Sequence, residues 1–292
     1  MRKAIHNRVG MYKSEAIYEI LDKNTGQEAM DWLTKKSTAL EHSESARDLF
    51  MSYSLLAAKF DKTLDIDYSG HTNETLSYFK SHGADVLQMA RIYLLTKVLE
   101  VNPQFYIKEV AKIIEVADTT ELETFLRYLT ILPASESFKH AAVEALRTNI
   151  SIIFDAITLN NPYPALYFND QQWNQMYLKA AFMERDLALI QSVDERANAD
   201  LTRIISDYAH ERWAASRKID PMFWRPVSKF MDNTLLSDME RLLASEDKIE
   251  NKAGALCCYF SEDERALALL EKYQELKEQV ASDHITWNTL KN

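Results

Sequence analysis

Apolar residues recur every three or four positions along this chain, the spacing that gathers them on one face of an α-helix. GQEAMDWLTKK after Thr25 and ESARDLFMSYSLLAAKF after Ser43 carry the first such stripes, and both Thr25 and Ser43 are suited to cap a helix start. The segment from Asp61 to Gly83 loses the period and contains two glycines, which predicts an irregular connection. Leu87, Ala90, Leu94, Val98 and Val101 then mark a helix stopped by Asn102-Pro103, and Val110, Ile113, Ile114 and Ala117 mark the next. Thr120 and Glu123 have capping-box spacing before Leu122, Phe125, Leu126 and Leu129, with Pro133 as the stop. Phe138, Ala142, Ala145 and Leu146 lead into Ile150, Ile153, Phe154 and Ile157, up to the breaker Asn160-Asn161-Pro162.

Residues 161–217 depart from this plain alternation of wet and dry faces, because amides, carboxylates and cations crowd among aromatics there. Asn161-Pro162-Tyr163-Pro164 predicts a stiff, extended corner that holds Tyr163 and Tyr167, either as a helix stop packed with aromatics or as a binding wall. Asp170 is placed to cap a helix that buries Trp173, Met176, Tyr177 and Ala180. Asn174 and Gln175 are then either surface groups or amides turned toward a ligand. Asn198 is placed to cap the following helix, whose core stripe is Ala197, Leu201, Ile204, Ile205 and Tyr208. Arg196, Asp200, Arg203, Asp207, His210 and Glu211 form the opposite stripe, with Arg203 in reach of both Asp200 and Asp207. Asp207, His210 and Glu211 share a face and could form an acid–base or metal trio, but an ion-pair network accounts for the same residues. No HExxH, DDxxD or cysteine ligand pattern is present, so neither metal nor cofactor is expected. Trp213 falls off both stripes, and either packs on a neighbouring layer or lines a pocket.

Pro221 and Pro226 bracket a further turn, MFWRP, before two short helices. The last helical segment is charged on all but the stripe of Leu267, Leu270 and Leu276, as suits an end cover for the core; Glu271 and Glu275 on it are like charges. Helices of this length joined by short connections predict an all-α fold of irregular antiparallel repeats, stacked as a HEAT- or armadillo-like solenoid or superhelix, with a bundle as the alternative. The expected organisation is one domain over residues 1–292. Residues 1–60 supply N-terminal helices, 61–83 the irregular connection, 84–230 the central array with the site, and 231–292 the C-terminal capping helices.

Composition narrows the function classes. Only five glycines occur, none between residues 84 and 253, which leaves no phosphate-cradling or dinucleotide-binding loop in that interval. A formal net charge of -10 argues against nucleic acid as the partner. No apolar run has the length of a signal peptide or a membrane span. Cys257 and Cys258 are adjacent and too strained to pair with each other, so a reducing cytoplasm is expected.

The blocks NPYPALYF, WNQMYLKAAF, DERAN and SDYAHERWAASR resemble the EboA family. Looser likeness runs from ARDLFMSYSLLAAKF through ADTTELETFLRYLTILP and AVEALRTNISIIFDAI to IDPMFWRPVSKF. The resemblance implies a component of an Ebo gene cluster that moves small secondary-metabolite precursors. It also implies neighbours such as a UbiA-type prenyltransferase and a TatD-like hydrolase, and no assigned reaction. It makes Glu144, Arg147, Asn149, Asn161, Asn174, Lys179, Arg196, Asn198, Asp207, His210, Glu211, Arg212 and Trp213 the candidate ligand-binding residues. Where the family pattern has Gly, this chain has Ser192 and Ser216, and Ala199 stands where a Pro is common. The expected function is a scaffold or carrier that binds a small metabolite or other Ebo-cluster proteins, with docking to a membrane enzyme possible. The alternatives are an enzyme using Asp207, His210 and Glu211, and a purely structural adaptor.

Overall fold

The computed structural model describes residues 13–71 and 73–290, so the reading of residues 1–12 lies outside the described residues. Among the described residues every regular element is helical. The chain divides into two compact units, Met1–Ile157 and Thr158–Asn292.

The first unit contains α1 (Lys13–Asn24), α2 (Gln27–Glu41), α3 (Ala46–Leu55), α4 (Glu74–Ser81), α5 (Val86–Val101), α6 (Pro103–Ala111), α7 (Ile113–Val116), α8 (Thr119–Arg127) and α9 (Lys139–Ala145), and α10 (Ser151–Thr158) ends it. Its centre is α5, which packs against α1, α2, α6 and α8. The expected single stripe on this helix is replaced by burial all round: Met89, Ala90, Ile92, Leu94, Leu95, Val98 and Leu99 are covered, whereas Val101 is exposed. A helix enclosed by four others has no wet face to keep polar.

Helix starts differ from the expected ones where several capping residues compete. Gly26 precedes α2, and the Thr25 hydroxyl donates back to the Leu21 carbonyl at 2.7 Å. Ser45, not Ser43, caps α3 by accepting the Asp48 N–H at 3.1 Å. The stretch read as irregular becomes helical at Glu74, where Asn73 accepts the Leu76 N–H at 2.8 Å. The capping box before α8 is Asp118 with Glu121 rather than Thr120 with Glu123, its two bonds being 2.8 and 3.0 Å long. That two-residue shift turns Glu121 inward, toward α5.

The second unit contains α11 (Tyr163–Tyr167), α12 (Asp170–Phe182), α13 (Ala199–Ala214), α14 (Asn233–Leu243), α15 (Lys248–Tyr259), α16 (Glu264–Leu270) and α17 (Gln274–Ala281), with a 3-10 stretch at Pro221–Phe230. Here α15 is central, packing on Pro221–Phe230, α14, α16 and α17. A Cβ on Gly254 would come within 3.0 Å of the Leu242 Cβ and 3.3 Å of the Leu243 nitrogen, so the glycine sets how closely α15 approaches α14. The charged terminal segment is two short helices rather than one. It buries Ala266, Leu269, Leu270 and Val280 and leaves Leu267 exposed. Glu271 is relieved of its like-charged neighbour by Lys277 and by Gln274. No helix among the described residues is long and apolar enough to cross a membrane.

Ser192, Ser216 and Ala199 stand at backbone positions that favour other residue types. Ser192 and Ser216 both occupy the left-handed region, at φ 59° and 55°, where a side chain is strained and glycine is not. Ser216 ends α13, with the Arg217 N–H reaching the Arg212 carbonyl at 2.8 Å. Ala199 is the first residue of α13 and follows an extended Asn198 (φ -151°, ψ 161°), the setting that proline prefers. Ser216→Gly and Ala199→Pro should therefore each stabilise the protein by about 0.5–1 kcal/mol. Thermal melting checks this, and a fall in melting temperature for both variants would contradict it.

Candidate functional site

The crowded residues of 161–217 bond to one another and to the segments packed beside them. Pro162 has φ -74° and ψ -13°, and the Asn161 side chain accepts the Tyr163 N–H at 2.9 Å. The expected extended corner is therefore a short helix, α11, which proline opens readily because its φ already suits a first turn. Tyr163 and Tyr167 lie 4.6 Å apart between ring centres. Asn169 rather than Asp170 caps α12, in a capping box with Gln172. Asp170 is thereby left to pair with Arg196 at 3.2 Å. Arg196 also donates to the carbonyls of Pro164, Ala165 and Phe168 at 3.2, 2.9 and 2.9 Å, and lies over the Trp173 ring at 4.9 Å. It adds to the capping of the C-terminal end of α11, where the Pro164 carbonyl also accepts the Phe168 N–H at 3.0 Å.

Asn174 and Asn198 exchange amide hydrogen bonds of 3.0 and 2.9 Å, while Asn198 caps α13 through the Leu201 N–H at 2.9 Å. Asn174 is buried and Gln175 is exposed. Lys179 is half-buried, and burial pushes its ammonium below the ordinary lysine value. Arg212 donates to the Lys218 carbonyl at 3.0 and 2.6 Å. Arg203 pairs with Asp207 at 3.5 Å, both exposed, and Glu211 is exposed as well. In the first unit Arg147, 78% exposed, pairs with Glu144 at 3.0 Å, and Asn149 is exposed.

His210 joins neither Asp207 nor Glu211. Its Nε2–H donates to Oδ1 of Asp238 on α14 at 2.6 Å, and the other oxygen of that buried carboxylate accepts the Ser206 hydroxyl at 2.6 Å. The hydroxyl is bonded to the carboxylate and not to the imidazole, so these three do not make a nucleophile–base–orienter chain. They tie α13 to α14. Trp213 is packed between neighbours: Arg241 lies 4.0 Å from its ring centre, Trp224 stacks on it at 5.6 Å, and His210 tilts against it at 5.6 Å. Among the described residues no group of three or more His, Cys, Asp and Glu side chains is placed to hold a metal ion.

A cavity of about 300 Å³ lies beside this network in the second unit, lined by Asp194, Ala197, Arg225, Pro226, Ser228, Lys229, Phe260 and Trp287. Asp194 and Ala197 belong to the crowded stretch, but none of the thirteen candidates lines this cavity. The 3-10 stretch that carries Arg225 to Lys229 is pinned three ways: Asp220 accepts the Met222 N–H at 3.0 Å, the Tyr177 hydroxyl donates to the Met222 carbonyl at 3.2 Å, and the Cys257 thiol donates to the Trp224 carbonyl at 3.4 Å. Burial pushes the Cys257 thiol well above its ordinary value, which keeps it a neutral donor. Arg225 meets Asp194 fork to fork, at 2.8 and 2.6 Å, and this bonding holds the guanidinium above its ordinary value. Arg225 was visible in the sequence within the proline-bracketed MFWRP, and Asp194 within DERAN. Phe260 and Trp287 carried no local signal, because only the packing of α15 and the C-terminal residues brings them to the cavity.

Fold and cavity together define an all-helical protein with a small aromatic-walled, cation-rimmed recess. A family model described as "Metabolite traffic protein EboA" matches residues 13–228, and the chain belongs to the EboA family. The family's name implies a role in metabolite traffic. Searches of the curated proteins and of the solved structures gave no match.

Proposed function

We propose that the chain is a carrier or scaffold that binds a small metabolite in the cavity of its second unit, and that it works in a reducing cytoplasm. The carrying observation is the cavity itself. Its volume of about 300 Å³ lies at the lower end of the range for small-ligand sites, roughly 300–1,000 Å³. Its walls combine aromatic surface with a few fixed polar groups, the composition by which such sites hold and orient a ligand. Two buried, unpaired cysteines support the reducing compartment. Consecutive helices that pack on each other, α14 with α15 and α15 with α16, support an irregular helical scaffold of stacked repeats as the frame. Of the thirteen candidates, Arg196, Asn174 and Asn198 keep a part in this reading, because they hold together α11, α12 and α13 of the same unit.

Protein-observed NMR of the tryptophan indole signals, with a library of small aromatic and aliphatic compounds, tests the proposal. Hits should perturb the Trp287 indole signal of the full chain and should lose affinity about tenfold in Phe260→Ala, whose side chain is exposed, with little change in melting. A library in which no compound perturbs Trp287 would remove the reading.

A further inference from the structure

We infer that this cavity selects planar aromatic acids, a refinement that rests on the carrier reading above. Charge points there first. The chain has a net charge of -10, a field that repels anions, yet the charged lining of the cavity is two cations, Arg225 and Lys229, against one carboxylate, Asp194. A cavity of the first unit has the opposite balance, with Asp61, Asp118 and Glu121 against Lys62 and Arg91. Arg225 is engaged through both Nε and Nη2 with Asp194, so its charge is balanced and its fork is fixed in place. Lys229 is exposed, with no carboxylate paired to it among the described residues, and supplies the unmatched charge at the rim.

The walls specify the rest of the ligand. Phe260 is 55% exposed although it is large and apolar, and Trp287 is half-buried beside it. Two aromatic side chains on the lining of one recess are completed by a flat ring, which buries their exposed surface and also meets their quadrupoles in offset or edge-on contact. A saturated ring of equal size gives only the burial. A carboxylate on the flat ring, placed at the rim, gains a charge-assisted hydrogen bond from Lys229 that a neutral amide does not.

Calorimetric titration of the full chain with 2-naphthoate, its neutral isostere naphthalene-2-carboxamide and its saturated analogue decahydro-2-naphthoate tests the assignment, with the Trp287 indole signal followed by NMR in parallel. The expected result is that 2-naphthoate binds about tenfold more tightly than the amide and several-fold more tightly than the saturated acid. Lys229→Ala should level the acid with the amide, and Phe260→Ala should narrow the gap between flat and saturated rings; both residues are exposed, so folding is spared. Equal binding of acid and amide, or of flat and saturated acids, overturns the ligand class and leaves the carrier reading standing. If none of the three binds or moves the Trp287 signal, the ligand class falls, and the carrier reading is decided by the compound library.

Discussion

Removing the Glu121 carboxylate should be among the most damaging single changes to the first unit, with Glu121→Ala costing about 3–5 kcal/mol. Arg91, on the enclosed helix α5, is 2% exposed, and its Nε has no hydrogen-bond partner. Glu121 stands 3.7 Å from its guanidinium and Tyr53 lies beneath it at 5.5 Å. Deleting the carboxylate would leave a buried cation without its ion-pair partner. It would also open the capping box of α8, since the Asp118 N–H donates to Glu121. The pairing is long, and the Arg91 Nε is unsatisfied, so the pair itself adds little beyond neutralising each partner. The double variant Arg91→Met with Glu121→Gln should accordingly recover most of the stability lost by Glu121→Ala. Denaturant unfolding of the three proteins decides the matter, and a double variant less stable than Glu121→Ala would refute this account of α5 and α8.

In the second unit the corresponding weak point is Asp238. Asp238→Ala removes two short hydrogen bonds, to Ser206 and to His210, from a carboxylate that is 2% exposed. At roughly 1.5 kcal/mol or more for each bond to a charged group, the loss is about 3 kcal/mol, or about 6–12 °C in melting temperature. His210→Ala should cost clearly less, because the imidazole is half exposed and its removal leaves Asp238 with the Ser206 hydroxyl. Circular dichroism melts of both variants supply the comparison. If His210→Ala proved as damaging as Asp238→Ala, the carboxylate would not be the hub that joins α13 to α14.

The two clusters also show what a sequence reveals and where it stops. The all-helical class was legible from the three-to-four-residue period, and so were local facts that depend on one helix alone: Asn198 caps α13, and Leu201 and Ile205 lie in its core. Caps slipped by one or two residues wherever Asn, Asp, Ser or Thr residues stood close together, as at Asn169-Asp170 and Asp118-Thr119-Thr120. The cap is whichever residue the surrounding packing holds in an extended conformation, and that is a tertiary property. Partners across helices could not be read at all. Helical spacing groups His210 with Asp207 and Glu211 on one face, yet its partner lies 28 positions away on α14. The recess eluded a motif search for the same reason: its rim and its walls come from segments that sequence spacing does not connect.

The recess is assembled from two separate parts of the chain. Asp194 and Arg225, the locked pair at its edge, fall inside the stretch matched by the family model, whereas Lys229, Phe260 and Trp287 lie beyond residue 228. The locked ion pair and the aromatic walls thus sit on separate lengths of chain, and the Cys257 bond to the Trp224 carbonyl ties α15 to the segment that carries Arg225. On the carrier reading proposed above, exchanging Lys229, Phe260 and Trp287 for a relative's residues would change what is bound while the Asp194–Arg225 pair stays in place.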